Sequence, residues 1–119
     1  MTKSEHKAKH PTAWEIVRWN RYHNHKEKYT KLEHKAKHPT AWEIIRWNYE
    51  NEEKYTKAEH KAKHPTAWEI IKWNYENEEK YTKLEHQATP LTALDIIAWN
   101  RHNKEKYTED EINESKKIL

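Results

Sequence analysis

Residues 34–59 read HKAKHPTAWEIIRWNYENEEKYTKAE, and residues 60–85 read HKAKHPTAWEIIKWNYENEEKYTKLE. The two 26-residue stretches differ only at Arg46/Lys72 and Ala58/Leu84. Self-similarity at a fixed period is the signature of a repeat architecture. Residues 6–33 carry the same pattern with two extra residues around His23-Asn24-His25. Residues 86–119 carry it most loosely, with Leu94 where the other copies have Trp and Pro90-Leu91 in place of His-Pro. Divergent outer copies around near-identical inner ones are what capping of a repeat array produces. Near-identity of the inner pair is also the mark of recent duplication or of design. The sequence therefore predicts a single repeat domain over 1–119. It divides into a tail at 1–5, repeats at 6–33, 34–59 and 60–85, and a fourth repeat with a closing helix at 86–119.

Each copy holds two helix-start signals. Thr-Ala-Trp-Glu recurs at Thr12/Glu15, Thr40/Glu43 and Thr66/Glu69, with Thr92/Asp95 in the fourth copy. It reads as a capping box, in which the Thr hydroxyl accepts from an orphan N–H and the acid three residues on reaches back. The second signal falls at Thr30/Glu33, Thr56/Glu59, Thr82/Glu85 and Thr108/Glu111. Caps sixteen residues apart in the inner copies mean two short helices. The insertion in the first copy supports this reading. Inside one continuous helix it would rotate everything downstream by about 200°, whereas in a turn it costs little. With no Gly in the chain, Asn51, Asn77 and Asn103 are expected as left-handed helix stops. The fold class that follows is all-α: a tandem array of four short helix–turn–helix (αα-hairpin) repeats of 26 residues, stacked as a small solenoid or repeat bundle. It resembles tandem αα-hairpin proteins in general, with a shorter unit than tetratricopeptide or HEAT-type repeats and no residue signature of either.

Composition narrows the function classes. The 119 residues are 36% charged and 34% hydrophobic, a balance that by itself leans towards disorder. Seven Trp and seven Tyr oppose that, because each aromatic buries a large area. The expected packing residues are Trp14, Trp19, Trp42, Trp47, Trp68, Trp73 and Trp99 with Ile44, Ile45, Ile70, Ile71, Ile96 and Ile97. On the helical wheel Trp42 joins Ala41, Ile44, Ile45 and Asn48 on the broad face, and Trp47 falls on the other side. In the shorter helix, Leu84 or Ala58 with Ala36, Ala62 or Ala88 is expected to face inward. Absence of Cys and Gly excludes disulfides, thiolate chemistry and Gly-built phosphate loops. No apolar run approaches a membrane span, and the opening residues show no apolar signal region. A soluble chain, cytoplasmic in location, is expected.

Few constellations carry chemistry. His6/His10, His34/His38 and His60/His64 are spaced i, i+4, which on one helical face is a chelating pair for Zn²⁺, Cu²⁺ or Ni²⁺. No third ligand at fixed spacing accompanies them, so a structural role is favoured. His23-Asn24-His25 spells a nuclease-like tripeptide, but partner residues are lacking. Ser4 and Ser115, the only serines, have no base near them in sequence. No catalytic residue, cofactor or small-molecule substrate is expected, and the chain reads as a non-enzyme.

Charge is unevenly placed. The total of +3 comprises +4 in residues 6–33, zero in each inner copy and −1 in residues 86–119. A nucleic-acid tracker should be basic in every copy. A structural or protein-interaction scaffold, with a protein partner or self-association, is therefore the first expectation. The alternative is a DNA- or RNA-binding module using Lys7, Lys9, Arg18, Arg21, Lys35, Lys37, Arg46, Lys61, Lys63 and Lys72. A metal- or pH-responsive assembly through the His pairs is the third.

Overall fold

The computed structural model describes residues 1–23 and 25–118, and every regular element in them is helical. The chain divides into two units, Met1–Lys63 and His64–Leu119. The first holds α1 (Lys3–Ala8), α2 (Ala13–Tyr22), a 3₁₀ turn (His25–Glu27), α3 (Lys31–Lys35), α4 (Ala41–Glu50) and α5 (Lys57–Lys61). The second holds α6 (Ala67–Glu76), α7 (Lys83–Gln87), α8 (Ala93–His102) and α9 (Glu109–Ile118). Ten-residue helices thus alternate with five-residue ones at the repeat period.

The capping boxes explain where helices begin. At Thr40 the hydroxyl accepts from Glu43 N–H at 3.2 Å while the Thr40 N–H donates to the Glu43 carboxylate at 2.9 Å. The same reciprocal pair opens α2, α3, α5, α6, α7 and α8. It also opens α1, where Thr2 and Glu5 form a full box. Residues 1–5, expected as a tail, therefore begin a short helix equivalent to α3.

Helix ends differ from the sequence expectation. Asn51, Asn77 and Asn103 are extended, with φ of −127°, −121° and −122°. They stop the helix through side chains: Asn51 Nδ2 donates to the Trp47 carbonyl at 2.9 Å, and Asn77 and Asn103 do the same to Trp73 and Trp99. The Lys54 ammonium donates to the carbonyls of Asn48 and Asn51, and Lys80 repeats this on Asn74 and Asn77. A cation on the last carbonyls is favoured by the helix dipole. The left-handed residues are instead His10, His38 and His64, with φ of 54°, 53° and 52° after the short helices.

In the first unit α2 packs on α3 and α4, and α4 on α5; in the second α6 packs on α7 and α8, and α8 on α9. Along α4 the buried residues are Ala41, Ile44, Ile45, Trp47 and Asn48. They span an arc of about 160° on the helical wheel, and Trp42 lies about 60° beyond its edge. The expected packing of Trp47 stands, while the inward facing expected for Trp42 does not. Trp47 is almost wholly buried, as are Trp73 and Trp99, while Trp14, Trp42 and Trp68 remain 39%, 37% and 51% exposed. The short helices are corrected too: Leu32 and Leu84 are exposed, as are Ala36, Ala62 and Ala88, and it is His34, His60 and His86 that are buried. Helices of five residues cannot stand alone. Ion pairs tie them to the corresponding helix of the next or preceding copy: Lys3 and Lys7 bind Glu33, Lys31 and Lys35 bind Glu59, and Lys83 binds Glu111.

Candidate functional site

The titratable side chains with the most unusual surroundings are the buried histidines. His34 stacks on Trp47 with ring centroids 4.7 Å apart, and its Nδ1 lies 2.7 Å from the Tyr55 hydroxyl. His86 repeats this on Trp99 and Tyr107 at 4.6 and 2.9 Å, and the partly buried His6 on Trp19 and Tyr29 at 4.4 and 2.7 Å. Burial and the Glu59 carboxylate push the Tyr55 hydroxyl upward, so it stays protonated and donates to His34 Nδ1. The ring proton then sits on Nε2. That atom has no hydrogen-bond partner of good geometry, although the Ala13 carbonyl is near enough to act on the ring. Burial lowers His34 to about 4, partly offset by Glu43 and the Ala13 carbonyl. His86 is lowered for the same reason, against Asp95 and the Ala67 carbonyl. A neutral imidazole enclosed by Trp and Tyr is a packing group.

This geometry does not present the i, i+4 pairs as chelates. His34 is buried, whereas His38 is exposed in a left-handed turn past the end of α3. His6 stacks on Trp19 while His10 occupies the corresponding exposed turn. His60 is buried and His64 exposed. Among the described residues no group of three or more His, Cys, Asp or Glu could hold a metal ion. His23, from the nuclease-like tripeptide, lies flat on Trp19 at 3.5 Å and bonds the Trp19 carbonyl at 2.7 Å. It does at the end of α2 what Asn51 does at the end of α4.

The recurring Trp-Asn step is likewise structural. Trp47 Nε1 donates to the Glu53 carbonyl at 2.8 Å. Asn48 pairs with the Tyr55 backbone in both senses, its Nδ2 donating at 3.0 Å and its Oδ1 accepting at 2.7 Å. Asn20 and Asn74 hold Tyr29 and Tyr81 in the same way. These bonds fix each turn between a long helix and the next short one. A buried amide satisfied on both sides is a rigid fastening.

The outward arc of the long helices is a different matter. In the first unit Trp14, Tyr22, Trp42 and Tyr49 are exposed. Arg46 lies between two of these rings, 5.9 Å from the centroid of Trp14 and 5.8 Å from that of Tyr49. Its Nε is buried without a hydrogen-bond partner. Arg21 lies over Tyr22 at 5.7 Å and touches Glu50 at 3.9 Å. In the second unit Lys72 lies 5.7 Å from the Trp68 ring and 6.0 Å from Tyr75. Comparison with family models, characterised proteins and solved structures returns no match. The surface must therefore be read from its own chemistry.

The remaining cations named from sequence do not form one row with these. Lys7 and Lys35 are tied to Glu33 and Glu59 on the short helices. Lys9, Lys37, Lys61 and Lys63 are exposed at the ends of the short helices or just past them. Arg18 is exposed on α2. Tyr22, Tyr49 and Tyr75 were not singled out in the sequence, nor were Arg101 and His102. The signal was available: Trp42, Arg46 and Tyr49 are spaced i, i+4, i+7, which puts them on one helical face. No helix among the described residues is long and apolar enough to cross a membrane.

Proposed function

We propose that the chain is a non-enzymatic helical-repeat scaffold that binds a macromolecular partner through the outward arcs of its long helices. One observation carries this reading: Trp14, Trp42 and Trp68 remain substantially exposed on helices whose inward arcs are already filled. Isolated exposed apolar residues are ordinary, but repeated aromatic groups interleaved with Arg or Lys are the composition of binding hot spots. A non-enzymatic role is supported by how the reactive groups are used. The Thr and Glu of the helix starts are paired in caps, the Asn of the Trp-Asn steps in turn clamps, and His34 and His86 in neutral stacks.

The test uses the intact chain with Trp42→Ser and Trp68→Ser. The doubly substituted protein should keep its helical circular dichroism and lose about 1 kcal/mol of stability or less, as surface changes do. Binding is then measured against single strands, acidic peptides and a second copy of the chain. The reading requires that at least one of these binds and that the substitutions abolish that binding. No binding to any of them, or binding untouched by the substitutions, would overturn it.

A further inference from the structure

The second unit has a hollow of about 320 Å³ lined by Trp68, Ile71, Lys72, Tyr75, Ala98, Arg101 and His102. We infer that this hollow binds one nucleotide of a single-stranded nucleic acid, its base on the exposed Trp68 indole and its phosphate among Lys72, Arg101 and His102. The inference rests on the scaffold reading above and names the partner class.

Three features point there. Both aromatic residues present exposed rings, Trp68 at 51% and Tyr75 at 62%. An exposed π-face stacks with any base, without a requirement on sequence. Next, the lining contains three basic side chains and no carboxylate. Among the described residues neither Lys72 nor Arg101 forms an ion pair, so their charge is available to a phosphate. Two hollows of the first unit differ in carrying carboxylates: the one beside Trp19 has Glu15 with His6, Arg18 and His23, and the one under Tyr29 has Glu50, Glu52 and Glu53.

The third feature is where the repeat pattern breaks. The fourth copy has Ala98 where the others have Arg18, Arg46 and Lys72, and Leu94 where they have Trp. Ala98 leaves open the space that a long cation would fill. Arg101 and His102 then stand on the next turn of α8, with the His102 ring 5.1 Å from Tyr75 in an edge arrangement. The hollow is at the small end of ligand sites, a size suited to one nucleotide. A duplex hides its base faces within its own stack, and an acidic peptide supplies charge without a ring to stack.

The experiment follows fluorescein anisotropy of an eight-nucleotide mixed-sequence RNA and DNA strand with the intact chain. An abasic strand of equal length and an oligoglutamate peptide serve as competitors. Single strands should bind, with the abasic strand and the peptide weaker by about tenfold or more, because base stacking is lost. Trp68→Ala and Arg101→Ala should each weaken binding by about tenfold, and Trp68→Phe should largely restore it. The log–log salt slope should be about −0.7, the value for one contacted phosphate on a single strand. Equal affinity for the abasic strand, or binding unchanged by Trp68→Ala with circular dichroism intact, overturns the inference. So does binding of the peptide alone, which would leave the scaffold reading standing; absence of all binding, self-association included, removes both.

Discussion

Lowering the pH from 7 to 5 should destabilise the protein through His34 alone by about 2 kcal/mol. The ring is fully buried against Trp47 and Tyr55, and burial holds its folded-state pKa at about 4. In the unfolded chain the value returns to about 6.5. The unfolded state thus binds more protons between these values, and stability falls as pH drops through that window. Above about 6.5 the contribution is constant, and below about 4 no further loss comes from this group. Linkage over that interval gives a total of about 3 kcal/mol, of which about 2 kcal/mol is lost by pH 5. The assay is urea unfolding followed by Trp fluorescence at pH 7, 6 and 5. The comparison chain is His34→Phe with Tyr55→Phe, which removes both hydrogen-bonding partners and leaves no orphan. That variant should lose about 2 kcal/mol less than the unmodified protein between pH 7 and 5. Equal losses in the two chains would mean that His34 is not held neutral by its surroundings, and the account of the stack would be wrong. His86 shifts in the same direction and adds to the slope of both chains.

Trp47→Ala should cost about 3–5 kcal/mol, as loss of a buried ring does, while Trp42→Ala should cost about 1 kcal/mol or less; a reversed order in urea melts would refute the inward facing of Trp47. Asn48→Leu leaves the Tyr55 N–H and carbonyl without their partner and should lose about 2–3 kcal/mol by the same assay. His38→Gly should stabilise by about 1 kcal/mol, because a Cβ at φ 53° is a standing cost; a loss of stability would refute the strain. Glu33 and Glu59 are both at about 2, burial opposing and Lys hydrogen bonds with the capping N–H prevailing. Their contribution is present above about pH 4.5 and lost as pH falls towards 2, so Glu33→Gln should flatten the unfolding curve only below the histidine window.

The repeat period and all eight Thr caps named in the sequence are where the primary structure puts them, since a cap is a local signal of four residues. The facing of Trp42 and Trp47 was not legible in the same way. Both rings are equally apolar, and only tertiary packing decides which side of a ten-residue helix is covered. The burial of His34 was not legible in the sequence, because a buried imidazole is recognisable only once its Trp and Tyr neighbours, 13 and 21 residues away, are brought to it. Ala98 and Arg101 carried the hollow of the second unit in plain view, as the break in an otherwise regular row. Its meaning depended on knowing that the row faces outward.

The ladder of ion pairs and amide bonds gives each copy a direction. Lys3 and Lys31 donate forward to Glu33 and Glu59, and Asn20 and Asn74 donate forward to Asn51 and Asn103. Within each unit the donors therefore lie on the earlier copy and the acceptors on the later one, like a plug and its socket. A further 26-residue copy of residues 34–59 would carry the same partner positions, Asn48, Asn51, Lys57 and Glu59. Length in such a chain is a count of modules, and a gene can alter it by unequal crossing-over in a single step.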